Sequence, residues 1–352
     1  MNLYLNINIY IFIYLYIYIL LMTKNILITG GNGFIGSNFI NYMVNKYPDI
    51  NFYNYDCNYY CSSLKNTIDL NNKNNYKSFN KKLQDKEFLT NILNLYAIDT
   101  IIHFAAQSHV DTSFYNSLIY TDDNIYATHI LLECVREYNK IELFIHISTD
   151  EVYGENNNEN DIKTELTKLC PTNPYAATKA AAEMIINSYY YSFKIPIIII
   201  RSNNIYGKHQ YIEKVIPNFI TKILNNKKIL IQGDGNNKRS FLYIDDFING
   251  LELILFKGII GNIYNIGSND EISIIDLGIK LLQMINNYND DYLKDNLTNH
   301  IEYIQDRNFN DRRYNISDKK IKELGWQKKY TLDEGLIETI NWYKNNPNYW
   351  DK

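Results

Sequence analysis

The chain has 352 residues and a net charge of −4, long enough to bury a large core without disulfides. Its charge leaves no basic excess of the kind that grips nucleic acid or an anionic membrane surface. Its four cysteines, Cys57, Cys61, Cys134 and Cys170, form no CxxC pair and no Cys/His cluster with zinc spacing, so no metal is expected and they read as reduced thiols of a cytosolic protein.

The first 21 residues stand apart. Tyr10 to Leu21 is apolar and uncharged, which would suit a signal anchor. The run is short for a span of about 20 residues, Asn2, Asn6 and Asn8 interrupt it, and no basic segment precedes it. It reads as an extension upstream of a working start at Met22, and a cytoplasmic protein with no membrane attachment is expected unless that extension is functional.

From there the elements alternate. Asn25 to Thr29 is a short apolar strand, followed by a glycine-rich turn and Phe34 to Lys46 at helical spacing. Asn51 to Tyr55 is a second strand ending at Asp56, and Asn71 to Asn75 a solvated loop. Thr100 to Phe104 reads as a third buried strand, Thr128 to Tyr138 as a helix, and Leu143 to Ile147 as a fourth strand. An alanine-rich helix, Ala176 to Phe193, leads to a strand at Pro196 to Ile200. This alternation predicts an α/β fold, a doubly wound parallel sheet covered on both faces. Past residue 205 the pattern is mixed: a short strand at Ile229 to Gln232, a turn at Gly233 to Gly235, helices at Tyr243 to Phe256 and Ile274 to Tyr288, a polar loop at Asn286 to Asn299 and an amphipathic helix at Thr331 to Tyr343. The expected division is residues 22–205 as a dinucleotide-binding domain and 206–352 as a smaller α/β substrate domain.

Three motifs carry chemistry. Gly30-Gly31-Asn32-Gly33-Phe34-Ile35-Gly36 lies between strand and helix, where glycines let the backbone turn and approach a pyrophosphate at a helix N-terminus. Asp56, 20 residues after Gly36, can accept adenosine ribose hydroxyls and disfavours a 2′-phosphate, so NAD is the expected cofactor. In Tyr175-Ala176-Ala177-Thr178-Lys179, the i, i+4 spacing places phenol and ammonium on one helix face, where the cation favours a tyrosinate able to act as a base. Ser148-Thr149-Asp150-Glu151-Val152-Tyr153-Gly154 follows a strand directly, at the strand end where such sheets bind ligands. Two adjacent carboxyls there can have their pKa values split into an acid and a base. Each motif alone is weak, since loops, surface YxxxK pairs and acidic turns are common.

The glycine spacing resembles the extended short-chain dehydrogenase/reductase family, of Rossmann fold. Ser148 to Gly154 with Pro174-Tyr175 to Lys179 resembles, within it, the nucleoside-diphosphate-glucose 4,6-dehydratases acting on dTDP-glucose or UDP-glucose. His103-Phe104-Ala105-Ala106-Gln107-Ser108-His109-Val110-Asp111, Glu213 to Pro217, Arg239 to Tyr243, Tyr264 to Gly267, Asp306-Arg307 and Leu324 to Trp326 agree, so the likeness spans about Lys24 to Tyr343.

The resemblance implies roles. Tyr175 takes the proton from the sugar 4-hydroxyl as hydride leaves C4 for NAD, with Thr149 bonding that oxygen. Glu151 removes the C5 proton, Asp150 protonates the departing 6-hydroxyl, and the hydride returns to C6. Lys179 supports Tyr175. Gly30, Gly33, Phe34, Ile35, Gly36, Asp56, Phe104, Ala105, Ala106, Tyr175 and Lys179 would hold NAD. Ser108, Thr149, Asn204, Lys214, Arg239 and Arg307 would hold the nucleotide sugar, the cations suiting its diphosphate. A homodimer is implied, with Thr121 to Tyr138 and Ala180 to Phe193 as interface helices.

The chain departs from the family pattern in places. Lys82-Leu83 stands where an Asp usually contacts adenine, Asp123 where many relatives have Thr, Lys208 where many have Pro, and Leu230 and Gln232 where residues flank the base. A nucleotide-sugar 4-epimerase or decarboxylase needs Tyr175 and Lys179 but no acid–base pair for elimination. A non-catalytic NAD-binding scaffold would commonly lose one of those two.

Overall fold

The structure, a computed structural model, describes residues 25–156, 158 and 161–351. The apolar stretch Tyr10 to Leu21 lies outside them. No helix among the described residues is long and apolar enough to cross a membrane.

The main sheet has seven parallel strands: β1 (Asn25–Thr29), β2 (Asn51–Asp56), β3 (Tyr76–Asn80), β4 (Thr100–His103), β5 (Leu143–Ile147), β6 (Ile197–Ser202) and, from much further along, β10 (Ile263–Ile266). Their order is β10-β6-β5-β4-β1-β2-β3. The order reverses between β1 and β4, and the crevice outside the strand ends at such a switch point is where this architecture binds ligands. β4 (TIIH) and β6 (IIIIRS) are buried along their whole length, as strands are when helices cover both faces of a parallel sheet. Successive residues feed two cores. Ile26, Ile28, Ile145, Ile147, Ile198 and Ile200 join one, and Leu27, Phe144, Ile197 and Ile199 the other.

Two smaller sheets follow. β7 (Asn204–Tyr206), β9 (Lys238–Tyr243) and β11 (Glu271–Ser273) form one, in the order β11-β9-β7, and β8 (Ile229–Gln232) pairs with β12 (Ile301–Ile304) in the other. Helix Ile244–Lys257 packs against helix Phe34–Lys46, where Tyr42, Lys46 and Tyr47 all bond Glu252.

Several expectations need correction. Tyr76–Asn80 is a strand, so the strand at Thr100 is the fourth. Strand Tyr76–Asn80 is a half-exposed edge, and a polar YKSFN segment shows no alternation to reveal it. The expected polar loop at 286–299 contains a helix, Asp290–His300. Only Leu293 of that helix is buried, so no apolar stripe marks it. Its signals were the Asn289 cap, whose side chain accepts from Tyr292 N–H, and the acids of its first turn. The alanine-rich helix begins at Pro174, two residues earlier than expected.

Candidate active site

Backbone shape makes the first part of the site. Gly30 holds φ +74°, and a Cβ there would stand 2.7 Å from Ala105 N, while one at Gly36 would stand 2.4 Å from Gly30 O. The loop is therefore closed on itself and on the end of β4. At Gly33 a Cβ would meet only Gly30 O, at 3.3 Å, so this position faces open space. Helix Phe34–Lys46 starts there with no side-chain cap and no acid in its first turn. Its leading N–H groups and positive dipole end are left for an anion. At the tip of β2, buried Asp56 accepts from Asn32 N–H at 2.9 Å and Asn58 N–H at 2.7 Å. Burial raises its pKa and these backbone donors oppose the rise. The spare lone pairs of such a carboxylate suit ribose hydroxyls.

Gly30, Gly33, Phe34, Ile35, Gly36, Asp56, Phe104, Ala105, Ala106, Tyr175 and Lys179 all line this one cleft. Open glycine, uncapped helix end and anchored acid fit a dinucleotide. Lys82, Leu83 and Asp123 line it too. Asp123 lies in a π-helical turn, Thr121–Tyr126, a distortion often found at functional sites. It accepts from the side-chain amides of Gln107 at 2.7 Å and Gln84 at 3.2 Å. Sequence reasoning missed the loop after β2, which brings Tyr59, Cys61 and Ser62 to the cleft. In that loop the Tyr60 hydroxyl bonds Glu213 at 2.9 Å, and its ring meets Tyr211 edge-on at 5.5 Å.

The second part is built from side chains. Helix Pro174–Phe193 is capped by Asn173 and has proline at its start, a position where the missing N–H is not needed. Tyr175 and buried Lys179 lie on its inner face. Lys179 Nζ donates to Ile147 O at 2.7 Å and lies 3.3 Å from His146 Nε2. An ammonium can only donate, so His146 Nε2 accepts and its proton sits on Nδ1. Burial holds the His146 imidazole far below its usual pKa and lowers Lys179 to about 8. The Tyr175 phenol is pushed well above its ordinary value, first by burial and then by the Glu151 charge, with the Thr149 hydroxyl beside it opposing the rise. The Lys179 ammonium donates to Ile147 O.

Thr149, Asp150 and Glu151 follow β5. The Asp150 carboxyl is 1% exposed, accepting from Asn203 Nδ2 at 2.6 Å and Thr149 Oγ1 at 3.2 Å. Burial, then the neighbouring Glu151 charge, raises it to about 7. Glu151 is also raised by burial, but Asn173, which donates to its Oε2 at 3.0 Å, and the Arg239 and Lys214 charges oppose this. Two adjacent carboxyls thus sit in unlike environments. Asn203 and Asn173 were not singled out from sequence. In an Asn-rich chain neither stands out, although Asn173-Pro174 is a helix-start signature.

Thr149, Glu151 and Tyr175 line a cavity with Ser108, Asn204 and Lys214, and Tyr175, Ser108 and Lys214 are shared with the first cleft. Lys214 Nζ donates to Ser108 O at 2.6 Å. Asp150 stands behind the wall and meets the cavity through Thr149. Arg239 and Arg307 are not brought to this wall. Arg239 bonds Lys238 O and Asn310 Oδ1 over the Tyr314 ring. Arg307 pairs with Asp111 at 3.3 Å and donates to Gln232 Oε1 at 2.9 Å.

Comparison with known proteins gives a consistent result. Residues 27–339 match the family model described as GDP-mannose 4,6 dehydratase. The chain is 44% identical to a dTDP-D-glucose 4,6-dehydratase of Dictyostelium discoideum, over 94% of this chain and 84% of that protein. It is 43% identical to an Arabidopsis thaliana trifunctional UDP-glucose 4,6-dehydratase/3,5-epimerase/reductase, over 93% of this chain but only 48% of that longer protein. Among solved structures, the dTDP-glucose 4,6-dehydratase of Streptomyces venezuelae with NAD and TYD bound superimposes with a TM-score of 0.85 at 32% identity, over 93% of this chain and 99% of that one.

Proposed function

The chain belongs to the nucleotide-sugar 4,6-dehydratases of the extended short-chain dehydrogenase/reductase family, and from that premise we propose that it is an NAD-dependent hydro-lyase converting dTDP-glucose or UDP-glucose to the 4-keto-6-deoxy sugar. The observation that carries the reading is the convergence of Thr149, Glu151 and Tyr175 on one cavity that opens into the dinucleotide cleft, with Asp150 directly behind.

NAD, when bound, supplies a hydride acceptor for C4 and a donor for C6, and leaves the cycle unchanged. The chain does the rest. Lys214 and Ser108 bind the nucleotide sugar and, with Asn204, orient its hexose. Tyr175 takes the proton of the 4-hydroxyl, and Thr149 bonds the same oxygen. With C4 a ketone, the C5 proton becomes acidic and Glu151 removes it. Asp150, protonated near neutrality, passes its proton through the Thr149 hydroxyl bonded to it to the departing 6-hydroxyl, so the C6–O bond breaks and water leaves. Reprotonation at C5 completes the product. Each transfer is of the kind worth about 10²–10⁴-fold in rate.

Arg239 and Arg307 are the cations assigned to the diphosphate and base beyond the hexose, as guanidinium groups suit. Exposed Tyr126, Met184, Tyr191 and Phe193 on helices Ala127–Tyr138 and Pro174–Phe193, or next to them, suit a second copy of the chain. The test is incubation with each nucleotide sugar, read by mass. Loss of one water from either supports the reading; intact substrate, or a 4-epimer of unchanged mass, overturns it.

A further inference from the structure

Asn173 makes two contacts with one amide. Its Oδ1 accepts from Ala176 N–H at 2.8 Å, capping helix Pro174–Phe193, and its Nδ2 donates to Glu151 Oε2 at 3.0 Å. The orientation of this amide is not free. A backbone N–H can only donate, so the oxygen end must face Ala176 and the NH₂ end must face Glu151. The side chain is 4% exposed, so water does not substitute readily for either partner. A donor fixed on Glu151 favours the carboxylate over the acid. The same residue also sets where Tyr175 begins its helix, two positions after the cap.

Resting on the dehydratase reading, we propose that Asn173 is a positioning residue for the elimination step: it holds Glu151 as an aimed carboxylate and ties that carboxylate to the helix carrying Tyr175. The bridge answers a specific difficulty. Glu151 is pushed toward its neutral form by burial and by Asp311, while Arg239 and Lys214 pull the other way. Asp150, Tyr175 and Tyr314 also face it and feel its charge. Of these influences, the Asn173 amide is the one that fixes direction as well as charge, and a base misplaced by about 1 Å loses on the order of 10²-fold.

The test uses the full-length protein with NAD and compares two variants that keep the helix cap. In Asn173→Asp an oxygen still caps the helix, but a second carboxyl replaces the donor beside Glu151. Two carboxyls that close share a proton. In Asn173→Ser the cap also persists and the reach to Glu151 is lost. Exchange of the substrate C5 proton with deuterated solvent reports Glu151 directly, and single-turnover formation of reduced nicotinamide reports Tyr175.

The inference predicts C5 exchange slowed roughly 10- to 100-fold in both variants, with nicotinamide reduction slowed less. In Asn173→Asp alone, the acid limb of the exchange profile should move up by about one pH unit or more. Wild-type exchange rates and an unmoved profile in Asn173→Asp overturn it. So does equal slowing of both steps in both variants, which would show a general disturbance of the site and no particular hold on Glu151. If the wild-type protein itself releases no water from either nucleotide sugar, the dehydratase reading fails instead.

Discussion

The two halves of the site are made of different material. The dinucleotide cleft is shaped by main chain: Gly30 and Gly36 packed against neighbouring backbone, an uncapped helix end, and one acid held by backbone N–H groups. The reaction cavity is shaped by side chains, many of them polar and several buried, among them Ser148, Thr149, Asn203 and Tyr175. Asp150 leans on Asn203, which in turn accepts from Ser268 N–H at 2.9 Å. Ser148 bonds buried Glu183, which pairs with buried Arg201. A cleft of the first kind tolerates change at most side chains and fails when a glycine gains a Cβ. A cavity of the second kind is sensitive throughout, because a buried polar group that loses its partner keeps the full desolvation penalty.

Removing reacting groups should sharpen that contrast most. Glu151→Gln should slow product formation by about 10²–10⁴-fold while reduced nicotinamide still forms in a single turnover, because oxidation at C4 does not need Glu151. Tyr175→Phe should lose both signals. If Glu151→Gln kept its product rate, the division of labour in the cavity would be wrong.

Next comes the glycine loop. Gly36→Ala places a Cβ 2.4 Å from a backbone oxygen, where nothing flexible can yield. Overpacking of this kind typically costs about 1–3 kcal/mol. The variant should purify with less NAD and melt earlier, measured by cofactor content and calorimetry. A fully loaded, equally stable variant would break the claim that backbone shape makes the cleft.

The pH response tests the cavity's electrostatics. Asp150 titrates at about 7 instead of near 3.8, so the folded state holds its proton more tightly than the unfolded chain. Its contribution to stability is therefore complete below about 3.8 and is lost as pH rises through about 7. The donor form needed for the departing hydroxyl fades over the upper part of the same window. Product formation should fall above about pH 7, and Asp150→Asn should remove the pH slope in stability between those two values. An unchanged slope in Asp150→Asn would place the titration elsewhere.

The smallest effect belongs to the departure at the adenine end. Lys82→Asp restores an acceptor in the cleft and should tighten NAD by roughly one hydrogen bond, about 0.5–1.5 kcal/mol, read by titration of the cofactor-free protein. Weaker binding would show that Lys82 is itself a contact.

These differences track what the sequence made legible. The main sheet was readable because buried parallel strands are continuous apolar runs, as at Ile101–Ile102 and Ile197 to Ile200. The edge strand at Tyr76 and the helix at Asp290 were not, because each buries almost nothing and the period that betrays an element comes from burial. In the site, the residues of the glycine turn and of Thr149 to Glu151 could be named because local motifs carry them. Asn173 and Asn203 could not be singled out, since their importance comes from contacts between distant strands and helices in a chain crowded with asparagine.

The central claim is that Tyr175, Glu151 and Asp150 act in turn on one hexose. It is tested most directly with nucleotide-glucose deuterated at C4 and turned over in light and in deuterated water. The account predicts a product lighter by one water, with the C4 label found at C6 and one solvent deuterium at C5. Label retained at C4 or lost to solvent, or a C5 position untouched by solvent, would contradict it.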